Sequence, residues 1–134
     1  LNFAYNIDKP KWNLLGRYFH GYIEGRYVRT SLKEDDEVDN ELLWGYALHY
    51  IIGLIYGLFY VLFNLLFFDY PSLLIAYIFG FFTVLGAWCY LMPFAYSLGF
   101  FASKSDQQYK ILSQNLISHF VFGTGLFIGY YISF

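Results

Sequence analysis

Three long runs of this chain carry no charge. No Asp, Glu, Lys or Arg falls between Glu41 and Asp69, between Asp69 and Lys104, or after Lys110. A helix that crosses a bilayer needs about 20 mostly apolar residues, and each run is long enough. As core helices of a water-soluble protein, three such runs would leave too little of a 134-residue chain to cover them. Composition agrees. Charged residues make up 13% of the chain and hydrophobic residues 58%, whereas soluble domains carry about 25% charged residues. The expected fold is an all-α integral membrane bundle, a single membrane domain over residues 1–134. Its transmembrane helices are expected at 42–68, 72–103 and 111–134, and its first partner is the lipid bilayer.

Residues 6–41 form the main polar segment, cytoplasmic or interfacial. Pro10 opens a helix readily. Beyond it, Asn13, Arg17, His20 and Glu24 share one helical face, with Leu15, Phe19, Tyr22 and Ile23 largely opposite. That pattern predicts a short helix lying on the membrane surface, apolar side down. Gly16, Gly21 and Gly25 weaken it. The stretch KEDDEVDNE (33–41) reads as a solvated lead into the next helix, since its spacing fixes no coordination shell. FDYPS is a tight turn, Pro93 is expected to kink the third segment, and SKSDQQYK is a short polar connection.

Orientation follows from the cations. All Lys and Arg precede residue 42 or lie in 104–110, and the positive-inside rule makes those segments cytoplasmic. The turn at Asp69 and the C-terminus then face outward. No basic, apolar and small-residue sequence at the start marks a signal peptide. The opening LNFAY, which lacks Met, reads as the tail of an earlier helix. Cys89 stands alone in a span, which excludes an intrachain disulfide and reads as a small buried hydrophobe. A net charge of -2 with scattered cations excludes a nucleic-acid partner.

Two stretches, HYIIGLIYGLFY (49–60) and HFVFGTGLFIGY (119–130), each begin with a histidine, place a glycine four residues later and end in tyrosine. On the expected topology their helices run parallel. His49 follows Glu41 by eight residues and His119 follows Lys110 by nine. At ~1.5 Å per residue both lie about 12–14 Å inside the cytoplasmic boundary. Gly45, His49, Gly53, Tyr56 and Tyr60 share one face; Asn115, His119, Gly123, Leu126 and Tyr130 share another. Glycines on such faces let helices approach, and the polar groups bond between helices. The stripes can therefore be packing surfaces, against each other or against the third helix near Met92 and Tyr96. They can also mark two related helical hairpins. Ionisable residues inside a membrane raise a functional reading as well. His49 and His119 are then the candidate cofactor-binding residues, and Tyr56, Tyr60, Asn115 and Tyr130 the candidate ligand-lining ones.

No metal site and no cofactor are expected, because two histidines are an incomplete metal shell. Haem or a transition metal held by both histidines is the alternative. No catalytic residue is assigned: GTGLFIG has the wrong spacing for a phosphate loop, and no motif favours an enzyme. GLIYG (53–57) and GLFIG (125–129) read as helix-packing patterns within a bundle. Three functions stay open: a protein that binds or passes a small ligand through a His/Tyr-lined bundle, an interaction or assembly subunit (a homo-oligomer or part of another membrane complex), and a redox protein.

The ordered stretches LLGRYFHGYIEGRYV, GYALHYIIG, FGFFTV, GFFASKS and SHFVFGTGLFIGY carry a resemblance over nearly the whole chain. In them the chain resembles a family of uncharacterised bacterial inner-membrane proteins, domain-of-unknown-function family 2938. The resemblance implies four spans, with the first largely missing here, in a bacterial inner membrane. It implies no activity. A Gln-Pro of the family pattern is replaced here by Met92-Pro93.

Overall fold

The computed structural model describes residues 11–30 and 32–133, so the reading of LNFAY lies outside the described residues. Helix α1 covers Trp12–Ile23, α2 Glu41–Phe67 and α3 Leu73–Gly86. The last continues as a π-helical segment, Ala87–Ala95. A 3-10 turn at Phe100–Ala102 leads to α4, Gln108–Ser133. The fold is all-α, with no strand among the described residues. Three helices of 27, 23 and 26 residues, α2, α3 with its π segment, and α4, are long and apolar enough to cross a membrane.

The third helix stops at Ala95, well short of the expected 103. Pro93 is the cause. Proline lacks a backbone N–H, and its ring crowds the carbonyl four residues back. The ladder widens to π spacing: Tyr96 N–H donates to the Leu91 carbonyl at 2.9 Å, and Leu98 N–H reaches Met92 at 2.8 Å. Ser97 then turns to a φ of 57° and the helix is over. The emerging backbone takes hold of the polar segment. The Phe94 carbonyl accepts the Arg29 N–H at 2.8 Å, and the Ser97 hydroxyl donates to the Arg29 carbonyl.

Helix α1 forms, but its polar face turns inward instead of outward. The reason is a backbone-to-backbone crossing with α2. A Cβ on Gly16 would lie 1.7 Å from the Glu41 carbonyl oxygen, and one on Gly45 would lie 1.8 Å from that of Trp12. No real Cβ tolerates such distances, so glycine is required at both positions. This approach seats Arg17 against the first turn of α2, where it is only 4% exposed. Its Nε and Nη2 donate to the two Glu41 carboxylate oxygens at 2.8 and 2.9 Å. Asn13 donates to the same carboxylate at 3.2 Å. Leu14, Leu15 and Tyr18 are buried, while Tyr22 and Ile23, expected to face down into lipid, are exposed and free of the core.

The acidic stretch is solvated only in part. Glu34, Asp36, Glu37 and Asp39 are exposed, but Asp35 pairs with the buried Arg29 and Glu41 with Arg17. Arg17 Nη1 also donates to the carbonyls of Leu32 and Asp35 at 3.2 and 3.0 Å. Residues 24–30 and 32–40 are thereby strapped over α1. Arg17, Arg26 and Arg29 gather at this charged end of the bundle.

A second glycine crossing joins α3 to α4. A Cβ on Gly80 would stand 2.7 Å from the His119 carbonyl oxygen, and one on Gly123 2.8 Å from that of Ala76. GLFIG takes no part in it. Among the described residues, nothing lies within 4 Å of a Cβ on Gly53, Gly125 or Gly129, and Gly57 makes only an ordinary 3.7 Å contact with Leu126.

Candidate functional site

The α3–α4 crossing decides what His119 meets. With the helices this close, His119 Nδ1 comes to 2.8 Å from the Thr83 hydroxyl oxygen. Thr83 is the single Ser or Thr of the 73–95 helix, is buried, and also lies 2.7 Å from the Gly80 carbonyl. His119 is half-buried. Thr83 was not among the residues the sequence singled out. Its signal was there: one hydroxyl in an otherwise apolar helix, three residues after a glycine.

His49 goes elsewhere. Its ring lies against Trp12 of α1, centroids 4.4 Å apart, and against Tyr50 at 5.4 Å. The Gly16–Gly45 crossing, one turn away, brings Trp12 there. No hydrogen bond or ring contact joins His49 and His119 among the described residues. No group of three or more His, Cys, Asp or Glu among the described residues is placed to hold a metal ion.

Tyr56 points from α2 toward α3. A Cβ on Gly86 would meet its hydroxyl at 2.9 Å, and that glycine leaves the room the phenol occupies. The hydroxyl has no hydrogen-bond partner among the described residues. Tyr56 and Thr83 form the inner end, nearer the charged end, of a groove of about 540 Å³ between α2 and α3. Its remaining walls are apolar, with Phe59, Phe63, Phe79 and Phe82 among them. The groove runs toward the far end of the bundle as far as Phe67.

Tyr60 and Tyr130 are the point at which the two predicted stripes touch. Tyr60 is fully buried. Its ring meets Phe79 at 5.5 Å and Tyr130 at 6.0 Å, both edge to face. Asn64, also fully buried, donates to the Tyr60 carbonyl at 2.8 Å. These groups pack the far half of the bundle and do not face the groove's polar end. Asn115 is half-buried on α4, one turn before His119.

At the charged end, a second cavity of about 270 Å³ is lined by Arg17, His20, Arg29 and the Asp35–Val38 stretch. Its cations are largely committed. Arg17 holds Glu41, and this hydrogen bond raises the Arg17 guanidinium above its usual value. Arg29 holds Asp35, and Arg26 holds Glu24 at 2.8 Å. This region serves as scaffold for α1 and the strap.

The fold and these contacts define a class: a helical bundle with three helices long and apolar enough to cross a membrane and an aromatic groove with Tyr56 and Thr83 at one end, Thr83 bonded to His119. The chain belongs to the family described as "Protein of unknown function (DUF2938)", which it matches over residues 1–133. No curated protein and no solved structure matches it.

Proposed function

We propose that this protein is a non-enzymatic membrane protein that binds a small amphiphilic ligand in the α2–α3 groove. The ligand's polar group rests at Tyr56 and Thr83, with His119 behind. One observation carries this reading: an unpartnered tyrosine hydroxyl and a histidine-bound threonine hydroxyl stand together at the end of an apolar groove. A hydroxyl left without a partner in an apolar setting costs free energy, and inside a bilayer no water offsets it. A bound polar group does. The aromatic walls match a hydrocarbon tail. The basic end faces the cytoplasm of a bacterium by the positive-inside rule, so the groove opens toward the outer half of the inner membrane.

Native mass spectrometry of the protein released from its membrane in mild detergent tests this. The wild type is expected to retain a stoichiometric amphiphile, and Phe63→Trp, which fills the groove, to lose it. Equal adducts on both proteins, or none on either, would sink the reading.

An assembly role, as a homo-oligomer or as a subunit of a larger membrane complex, is the second reading. The exposed Gly125 and Gly129 on α4, with open space where a Cβ would stand, favour it. A monomer in detergent at all concentrations, unchanged by Gly129→Leu, would count against it.

A further inference from the structure

We propose that the turn joining α1 to the strap, residues 22–28, is set into the membrane interface, with the lipid headgroup boundary as its partner and Tyr22, Ile23, Tyr27 and Val28 as the inserting side chains. The inference is independent of the groove reading and rests on the long apolar helices crossing a membrane. The turn reads YIEGRYV, and Gly25, at a φ of 86°, makes its reversal. Its four large apolar side chains are widely exposed: Tyr22 42%, Ile23 62%, Tyr27 56% and Val28 63%. Its two charges are matched, since Arg26 donates to Glu24 at 2.8 Å. Four large apolar groups around one neutralised ion pair are unfavourable in water and mark a contact surface.

What covers that surface follows from its depth. The turn is tied to the third long helix by side chain and by backbone. The Tyr18 hydroxyl donates to the Tyr27 carbonyl at 2.8 Å and lies 3.1 Å from the Tyr90 hydroxyl. The Arg29 N–H donates to the Phe94 carbonyl at 2.8 Å. Tyr90 is 43% exposed on the 73–95 helix, so its ring lies on the lipid side of that helix. It stands five residues before the helix end at Ala95, about 7 Å at the α-helical rise, where a span leaves the hydrocarbon. Tyr27, one shared hydroxyl away, stands at the same level. Ring contacts make the surface continuous. Tyr27 meets Tyr22 at 4.8 Å, Tyr22 meets Tyr18 at 6.1 Å, and Tyr90 meets Phe94 at 5.7 Å. Tyrosine suits this depth, with its ring in the apolar layer and its hydroxyl among the headgroups. A protein partner would have to displace lipid from a surface continuous with a span. Because the ion pair of the turn is neutral, insertion needs no anionic lipid.

Nitroxide labels on single cysteines, in the full chain in lipid nanodiscs and a Cys89→Ala background, test this. Ile23→Cys and Val28→Cys carry the label on the turn. Glu34→Cys, exposed on the strap, marks water, and Leu58→Cys, 61% exposed on α2, marks lipid. Circular dichroism checks that each labelled chain keeps its helix content. Both turn labels are expected to relax more with oxygen than with a water-soluble nickel complex, to fall between the two markers, and to do so alike with and without phosphatidylglycerol. A nickel response equal to that of Glu34→Cys at either site overturns the proposal. A weak response to both relaxants means that a protein surface covers the turn, and overturns lipid as the occupant. Insertion only with phosphatidylglycerol overturns the apolar basis of the contact. The unaltered chain gives a check free of substitutions: a lipid with a diazirine near its headgroup is expected to label residues 22–28, and absence of label there overturns the proposal.

Discussion

Helix α2 is held in two different ways along its length. Its first turns are pressed backbone to backbone against α1 through Gly16 and Gly45 and stapled by the Arg17–Glu41 pair. Beyond Tyr50 its contacts with α3 and α4 rest on a few side chains, chiefly Tyr56 and Tyr60. Leu54, Leu58, Leu65 and Leu66 on its flanks are widely exposed. The contrast separates two tasks. The charged end anchors the helix where water competes for every polar group. The apolar half leaves a gap, and Tyr56 and Thr83 lie at one end of it.

The comparison breaks most readily at the charged end. Arg17→Met leaves the Glu41 carboxylate without its guanidinium, and losing one partner of a buried pair costs about 3–5 kcal/mol. Unfolding in detergent should show that loss, and Arg17→Met with Glu41→Leu together should recover a large part of it. A single variant as stable as the wild type would mean that the pair anchors nothing. Gly45→Ala is next. Its methyl would collide with the Trp12 carbonyl, and overpacking of this kind costs about 1–3 kcal/mol, here at the upper end. Gly123→Ala, with a 2.8 Å contact, should fall toward the lower end of that range. If Gly123→Ala proves the more damaging of the two, the α3–α4 crossing, and not the α1–α2 crossing, is the stronger joint.

The loose half predicts the reverse. Gly53 has open space where a Cβ would stand, so Gly53→Ala should gain up to about 1 kcal/mol from helix propensity, visible as a higher melting temperature. Smallest of all is Tyr60→Phe. The Tyr60 hydroxyl is buried without a hydrogen-bond partner among the described residues, and removing such a group is near neutral or slightly stabilising. A clear destabilisation would show that the hydroxyl is bonded in the membrane after all.

Much of this was legible in the residues. The three charge-free runs marked the three long helices to within a few residues at α2 and α4, because a bilayer sets a minimum apolar length whatever the packing. Pro93 marked where the third helix would be disturbed. It did not show that the helix would end there, because that depends on Arg29, far away in the chain, capturing the freed backbone. The paired histidines stood out as ionisable groups in apolar helices, but their partners were not legible. His119 pairs with Thr83, 36 residues away, and His49 packs on Trp12, 37 residues away.

Sequence alone determined the all-α class, the number of long apolar helices and the segregation of charge to one end, since these follow from composition and hydropathy along a single strand. Tertiary structure decided which way each helix is turned. Arg17 is an exposed surface cation or a buried staple depending on whether Gly16 meets Gly45. His119 faces Thr83 because Gly80 meets Gly123. Twelve glycines offer several faces for close approach, and the choice among them is a property of the whole bundle, made by the backbone contacts that fit.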